Sequence, residues 1–295
     1  MSVIVIGDAS IDHLIRLERL PAPGEELFAE TALTTPGGAG ANVAAHLAHL
    51  GHRVDLIARV GQDPAGRLLL EHLSALGLRL DHVQQDPKHP TTASWILIAG
   101  GERTMITAEG ANRFLAELSE AVLVEAELII ISAYSLLGAS RGPTLQLLHK
   151  ALQRGLPVLA DLGGGAVRNL GSQLLHDLRG ISYLLLNEAE YQALGQEPLD
   201  IWRQRYQIQG LLLKRGARGA LLVDDQGSTP IDAVPVEQVL DPTGAGDAFT
   251  AAFAHGLLAG WEPLRAARAA ARAGARLTQS LGGQGHLLSP FDLVD

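Results

Sequence analysis

The stretch DPTGAGDAF, residues 241–249, constrains both the fold and the chemistry of this chain more than any other. Its small residues allow backbone amides to converge, and the apolar pattern that follows predicts a helix over 245–258. Unpaired N–H groups and the positive end of the helix dipole then form an anion site at the helix start. Asp247 lies at the rim of that site, as phosphorylation of a hydroxyl group requires. The alternative is a glycine turn in which Asp247 only caps the helix.

Two common nucleotide-binding motifs are absent from the sequence. Phe249 occupies the position of the third glycine in a dinucleotide-binding fingerprint, and the chain contains no G-x-x-x-x-G-K-[ST] sequence.

Upstream of this motif, short apolar runs alternate with segments of helical period, which predicts a mostly parallel sheet with helices on both faces. Strands are predicted at 3–6, 54–60, 128–132, 158–161, 183–186, 210–214 and 220–223, and helices follow most of them. Residues 11–35 and 92–108 do not fit this alternation, and the paired glycines at 100–101 indicate a hairpin. The predicted architecture is one α/β domain over 1–295, with a small β lid made by these two segments.

Composition excludes several classes of protein. Hydrophobic residues make up 47% of the 295, so a large core is available, and 23 basic against 32 acidic residues give a net charge of −9. This charge argues against nucleic acid and membrane surfaces as partners. The absence of cysteine excludes disulfides and thiolate catalysis. With no apolar run long enough to span a membrane, a cytoplasmic location is the expectation.

Three motifs resemble those of the ribokinase-like (PfkB-type) carbohydrate kinases. Residues 241–249 resemble the C-terminal signature D-T-x-G-A-G-D of that family, and GGAGANVA at 37–44 followed by LAHLG at 47–51 resembles its N-terminal glycine signature. Asn187 and Glu190, after an apolar strand, resemble its N-x-x-E element. The resemblance spans nearly the whole chain. It implies a ribokinase-like fold and ATP-dependent phosphorylation of a hydroxyl on a sugar or sugar-like small molecule.

The resemblance also assigns catalytic and acceptor residues. It implies that Asp247 is the catalytic base and that the anion hole is lined by Gly244, Ala245 and Gly246. It further implies that the acceptor is bound by Asp12, Gly38 and Asn42.

On the nucleotide side, the resemblance implies ATP and Mg2+ as cofactors. Asn187 and Glu190 match the pair that organises the magnesium and phosphate region, with Glu190 acting on Mg2+ through water. Residues 214–219 occupy the position of a T-x-G-x-x-G nucleotide loop. The resemblance therefore implies that Gly216 and Gly219 belong to the nucleotide-binding site. Lys214 replaces the usual threonine, and either neutralises phosphate charge or is merely solvated.

A cation site and a dimer are further implications of the resemblance. Asp241 and Thr243, with the loop 278–285, resemble the monovalent-cation site of some family members, which would bind K+. The alternative for this loop is a surface turn. In relatives the lid often pairs two subunits, so a homodimer through the lid is a hypothesis.

The acceptor stays open at this stage. Ala39 stands where ribokinases usually carry lysine, and 133–135 read AYS where they often have glutamate. A nucleoside kinase of the same family is one alternative, for which Tyr134, Trp95 and Phe28 could stack on a base. A non-catalytic sugar- or nucleotide-binding regulator is another. The run DLGGG at 161–165 follows a strand and could shape a nucleotide or substrate pocket, but it is interpreted as a flexible turn and is assigned no role.

Overall fold

The computed structural model describes residues 1–100 and 102–294. The described part of the chain contains thirteen strands in two sheets. The strands are β1 Ser2–Ile6, β2 Ser10–Arg16, β3 Thr31–Gly37, β4 Arg53–Gly61, β5 Val83–Asp86, β6 Thr92–Ala99, β7 Glu102–Ala108, β8 Leu128–Ser132, β9 Val158–Asp161, β10 Tyr183–Asn187, β11 Gly210–Lys214, β12 Ala220–Asp224 and β13 Gly227–Ile231.

Helices connect most of these strands. They are α1 Ala39–His49, α2 Pro64–Ala75, α3 Arg141–Gln153, α4 Gly164–Leu170, α5 Gln173–Asp177, α6 Glu188–Ala193, α7 Leu199–Arg205, α8 Ala245–Leu258 and α9 Pro263–Leu277. Within the ranges that the structure describes, no helix is both long enough and apolar enough to cross a membrane.

The larger sheet has nine strands in the order β13-β12-β11-β10-β9-β8-β1-β4-β5. All neighbours from β11 to β5 pair in parallel, and β12 and β13 add an antiparallel edge. Side chains alternate between the faces of a strand, so Val3 and Val5 of β1 enter one core while Ile4 and Ile6 enter the other. Both faces are therefore buried, as the continuous apolar runs predict.

The two cores are closed by two groups of helices. Helices α1, α2, α8 and α9 cover one face, and α3, α4, α5 and α7 cover the other. The predicted α/β class with helices on both faces is confirmed by this layering and by the solved structures compared below. The interpretation of 161–165 as a flexible turn is wrong, because β9 ends at Asp161 and α4 begins at Gly164.

The smaller sheet has the strand order β3-β2-β6-β7. Strands β2 and β3 come from the first segment that does not fit the α/β alternation, and β6 and β7 from the second. Strands β6 and β7 pair antiparallel up to Ala99 and Glu102, as a hairpin requires, while the predicted turn residue Gly101 lies outside the described residues. This sheet faces the carboxyl ends of the central strands across a cleft.

Candidate active site

The cleft between the two sheets has a volume of about 810 Å³. Its floor lies at the carboxyl ends of the parallel strands, where ligands of open α/β sheets bind. It gathers most of the predicted site residues, which are Asp12, Gly38, Asn42, Asn187, Glu190, Lys214, Thr243, Gly244, Gly246 and Asp247.

The glycine-rich turn shapes the start of α8. Gly244 precedes the helix at φ +79°, and a Cβ there would lie 2.4 Å from the Cα of Gly283, so only glycine fits. The first-turn amides of the 14-residue helix lack intrahelical acceptors, and Gly246 and Asp247 of this turn line the cleft. The N–H of Ala245 instead donates to the carbonyl of Pro242 at 3.3 Å. Of the three residues predicted to line the anion hole, Gly244 and Gly246 therefore reach the cleft and Ala245 serves the turn.

Asp247 is held by one side-chain hydrogen bond. The Nδ2 of Asn42 donates to its Oδ2 at 2.8 Å. Burial raises the pKa of Asp247 to about 7, and the Asn42 bond limits that rise. A carboxyl group with a pKa near neutrality suits proton abstraction from a hydroxyl better than an ordinary surface aspartate does.

The pKa of Asp247 predicts the pH dependence of the reaction. The ionised form is the base, so kcat/KM should fall about tenfold per pH unit below pH 7 and level off above it. Initial rates measured at low acceptor concentration and saturating nucleotide, across about three pH units around that value, would test this. A flat profile through neutrality would contradict the role of Asp247.

The start of α1 is built by backbone contacts to Asp8. The carboxylate of Asp8 accepts hydrogen bonds from the N–H groups of Ala39 and Gly40 at 3.0 and 3.2 Å. It also accepts one from the hydroxyl of Ser132 at 2.9 Å. Gly38 has φ +94°, and a Cβ there would lie 2.7 Å from the Cα of Ala9. The predicted substrate residue Gly38 is thus required for the close approach of α1 to the segment after β1.

Asp12 lies on β2 with its carboxyl group inside the cleft. It is 4% exposed, and the hydroxyl of Ser10 donates to its Oδ1 at 3.0 Å. Burial raises the pKa of Asp12 to about 6. At neutral pH the group is mostly ionised, and it can accept hydrogen bonds from hydroxyl groups of a bound molecule.

Asn187 and Glu190 form a capping box at the start of α6. The Oδ1 of Asn187 accepts the N–H of Glu190 at 2.9 Å, and the Oε2 of Glu190 accepts the N–H of Asn187 at 2.8 Å. Glu190 is 4% exposed, and burial raises its pKa. The second oxygen of Glu190 is not used by the cap, so it is available for a water or cation in the cleft.

Lys214 is paired with an aspartate that the sequence analysis passed over. Its Nζ donates to Asp161 Oδ1 at 2.6 Å, and the hydroxyl of Thr250 donates to Asp161 Oδ2, also at 2.6 Å. Burial opposes the charge on Lys214, but Asp161 and Glu190 outweigh it and raise the pKa. The interpretation of a solvated lysine is wrong, because the side chain is 15% exposed. A Cβ on Gly246 would lie 3.2 Å from this ammonium, which therefore flanks the predicted anion hole.

The two predicted loop glycines lie farther out. Gly216 and Gly219 have φ +56° and +76° in the turn between β11 and β12, and among the described residues neither lines the cleft. A Cβ on Gly219 would lie 2.0 Å from the carbonyl oxygen of Ile231. The structure thus explains Gly219 by packing against the segment after β13.

Thr243 lines the cleft, whereas Asp241 lies behind the glycine-rich turn and is not part of the cleft lining. Asp241 is fully buried, and its two oxygens accept the N–H groups of Thr243 and Gly282, each at 2.8 Å. The hydroxyl of Thr243 is buried and lacks a hydrogen-bond partner within the described part of the chain. Within the described residues, this buried carboxylate accepts backbone N–H groups and has no basic partner, and the Thr243 hydroxyl oxygen is unpaired.

Sequence reasoning assigned no role to several residues that line the cleft, namely Asp8, Arg103, Asn112 and Asp161. Asp8 and Asp161 could have been found, because each comes at the end of an apolar strand, where the carboxyl edge of a parallel sheet lies. No local pattern distinguishes Arg103 from other exposed residues of β7.

The chain is similar in sequence to known carbohydrate kinases. The profile of the pfkB family carbohydrate kinases matches residues 1–289. Ribokinase of Arabidopsis thaliana is 32% identical over 290 residues, which cover 91% of this chain and 74% of that protein. Ribokinase of Bacillus subtilis (strain 168) is 28% identical over 287 residues, with 96% and 95% covered.

Solved structures give the same result. The structure of Arabidopsis thaliana ribokinase complexed with ribose and ATP superposes with a TM-score of 0.79 at 28% identity, covering 95% of this chain and 93% of that one. The structure of Burkholderia thailandensis nucleoside kinase in complex with inosine reaches a TM-score of 0.83 at 22% identity, covering 99% and 94%. At 22% identity, the similarity to the nucleoside kinase shows a shared fold alone.

Proposed function

The chain belongs to the pfkB family of carbohydrate kinases, and from this premise we propose that the cleft transfers the γ-phosphoryl group of ATP to a hydroxyl of a sugar. The observation that carries the proposal is the position of Asp247, whose carboxyl group adjoins the helix-start amides around Gly246. The family resemblance noted from the motifs is confirmed by the comparisons, and so is the enzyme class of an ATP-dependent carbohydrate kinase.

On the acceptor side, the geometry supports a hydroxyl-rich ligand. Asp12 and Asn42 bring a carboxylate and an amide to the part of the cleft beneath the smaller sheet, where they would bind the acceptor's hydroxyl groups. Asp247 would accept the proton of the attacking hydroxyl while that oxygen forms its bond to phosphorus. The smaller sheet would act as a lid that excludes water, a competing phosphoryl acceptor.

On the nucleotide side, amides and a fixed ammonium would bind the phosphates. The first-turn amides of α8 and Lys214 would stabilise charge on the transferring phosphoryl group. Glu190 fits Mg2+ held through water, since its buried carboxyl group keeps one oxygen outside the capping box. Bound Mg2+ would neutralise phosphate charge. Gly216 and Gly219 would shape the loop beside the nucleotide, as the resemblance implies.

An ATP-consumption assay with a panel of sugars, sugar acids and nucleosides tests the proposal. We expect acceptor-dependent ADP formation with at least one neutral sugar, and the Asp247→Asn variant as a catalytically impaired control. ATP turnover that no acceptor in a broad panel increases would contradict it.

The cleft favours a sugar over a nucleoside. Of the three aromatic residues considered for stacking on a base, Tyr134 lines the cleft and packs against Gly163. Trp95 stacks on His13 at 5.3 Å outside the described cleft lining, and Phe28 is 91% exposed. A nucleoside would therefore find little aromatic surface, and the same acceptor panel separates the two classes.

The buried pair Asp241 and Thr243 supports a K+ site. We expect KCl, compared with tetramethylammonium chloride at equal ionic strength, to raise the unfolding midpoint by about 2 °C or more, because a cation would pair with the buried carboxylate. Asp241→Asn should abolish this difference. Equal midpoints in the two salts for the unaltered protein would contradict the site.

The outer face of the lid supports self-association. Trp95 and Ile106 face each other across β6 and β7, and they are 39% and 61% exposed. A homodimer that pairs two lids would cover them. Light scattering would give a dimer mass if this proposal holds, and a monomer mass would reject it. A cytoplasmic location remains a proposal, and the negative net charge argues against nucleic-acid and membrane-surface partners.

A further inference from the structure

A chain of three hydrogen bonds leads from the surface of α2 to Asp247. The Nε2 of His72 lies 2.8 Å from the Oε1 of Gln284, and the Nε2 of Gln284 donates to the Oδ1 of Asn42 at 3.0 Å. Asn42 in turn donates to Asp247 at 2.8 Å. Asn42 is 3% exposed, so little solvent is available to replace these partners.

The carboxylate of Asp247 determines which group is the donor in each of these three hydrogen bonds. An ionised carboxylate only accepts, so Asn42 must present its NH2 group to Asp247 and its carbonyl oxygen to Gln284. Gln284 must then present its own NH2 group to Asn42 and its oxygen to His72, whose Nε2 carries a proton. Because Gln284 donates to its oxygen, the Asn42 amide can turn toward a neutral Asp247 only if this bond is broken or Gln284 turns as well.

The position of Gln284 is defined by the loop that contains it. The preceding residue, Gly283, lies between Gly244 and Asn42, since a Cβ there would be 2.3 Å from Asn42 Nδ2. The N–H of Gly282 donates to Asp241. The loop is therefore packed against the anion hole on one side and against Asn42 on the other.

We propose that Gln284 is a positioning residue for the base, which holds the Asn42 amide in the orientation that keeps Asp247 ionised and directs its free oxygen to the acceptor. The inference rests on the proposed function, because it assumes that Asp247 is the base. Other groups act on Asp247 directly: Asp161 and Asp8 disfavour its ionisation and Lys214 favours it, while the hydroxyl of Tyr134 lies within electrostatic range. Gln284 acts only through Asn42.

The test is the pH dependence of kcat/KM for Gln284→Glu and Gln284→Met. A carboxylate at 284 would draw the NH2 group of Asn42 toward itself and turn the amide oxygen to Asp247, so the midpoint of the profile should rise by about one pH unit or more. Methionine at position 284 removes the hydrogen bond to Asn42 without drawing the Asn42 NH2 group toward itself. It should therefore shift the midpoint less than glutamate does. At one pH unit below the normal midpoint, Gln284→Glu should lose about tenfold in kcat/KM, and most of this loss should be recovered at high pH.

Gln226→Glu is the matched control, because it makes the same change of charge on an exposed turn between β12 and β13. Its midpoint should equal that of the unaltered enzyme. If Gln284→Glu does not fold, as judged by circular dichroism, Gln284→Met carries the test.

Lower activity of the folded variants with an unmoved midpoint would overturn the inference, since a structural role predicts that result. Different results would contradict the proposed function and this inference. If Asp247→Asn turned over normally, the base assignment would fall whatever Gln284 does, whereas an inactive Asp247→Asn with unmoved Gln284 profiles would remove this inference alone.

Discussion

Asp247→Asn is expected to lower kcat by roughly 100-fold or more, which is the contribution of a positioned general base. The amide is nearly isosteric and cannot accept the proton of the acceptor hydroxyl. In the unaltered protein, Asn42 donates to Asp247 at 2.8 Å. The carbonyl oxygen of the new asparagine can still accept this hydrogen bond, so the cleft should keep its shape. Single-turnover and steady-state rates with the best acceptor would measure the loss.

The folded state of this variant can be verified independently. Burial raises the pKa of Asp247 to about 7, so above that pH the folded protein contains a buried charge that the unfolded chain solvates. Asparagine removes this cost, and the unfolding midpoint at pH 8 should be no lower than that of the unaltered protein. Asp225→Asn, on an exposed turn, is the matched control. Near-normal turnover in a folded Asp247→Asn variant would reject the base.

Lys214→Met should have the second largest effect, a loss in kcat on the order of 100-fold. The ammonium flanks the first-turn amides of α8, where charge develops on the transferring phosphoryl group, and methionine keeps the length of the side chain without its charge. A group that acts mainly in the transition state lowers kcat more than it raises KM for ATP. Lys150→Met, at a side chain 44% exposed outside the cleft, is the control.

A double variant separates two causes of that loss. Lys214→Met leaves Asp161 without its cation, and the free carboxylate would repel phosphates whatever the lysine contributes itself. In Lys214→Met/Asp161→Asn this repulsion is gone. Activity that stays at least about tenfold below normal supports a direct role for the ammonium, whereas recovery to near-normal kcat would assign the loss to Asp161.

Local sequence patterns predicted the elements and the centre of the site. The apolar runs predicted most strands within one or two residues, and the helix at 245–258 begins and ends as predicted. The missed elements are short. Helices α4, α5 and α7 have seven, five and seven residues, and β5 has four, so none carries enough repeats of its period to stand out.

Contacts between distant segments could not be predicted in this way. Lys214 was assigned to the nucleotide loop, but its partner Asp161 lies 53 positions earlier, and the two meet because β9 and β11 flank β10 in the sheet. Asn42 was assigned to the acceptor, and its bond to Asp247 spans 205 positions. Gln284 was predicted only as part of the loop 278–285, and its contact with Asn42 spans 242 positions.

The sequence by itself determined the α/β class, the family and the carboxylate beside the glycine-rich turn, because periodicity and turn chemistry depend on neighbouring residues. Only the tertiary structure decided which side chains tune that carboxylate and which cation flanks the phosphate site. Those choices follow from strand order and loop packing, which bring together residues whose separation along the chain carries no local signal.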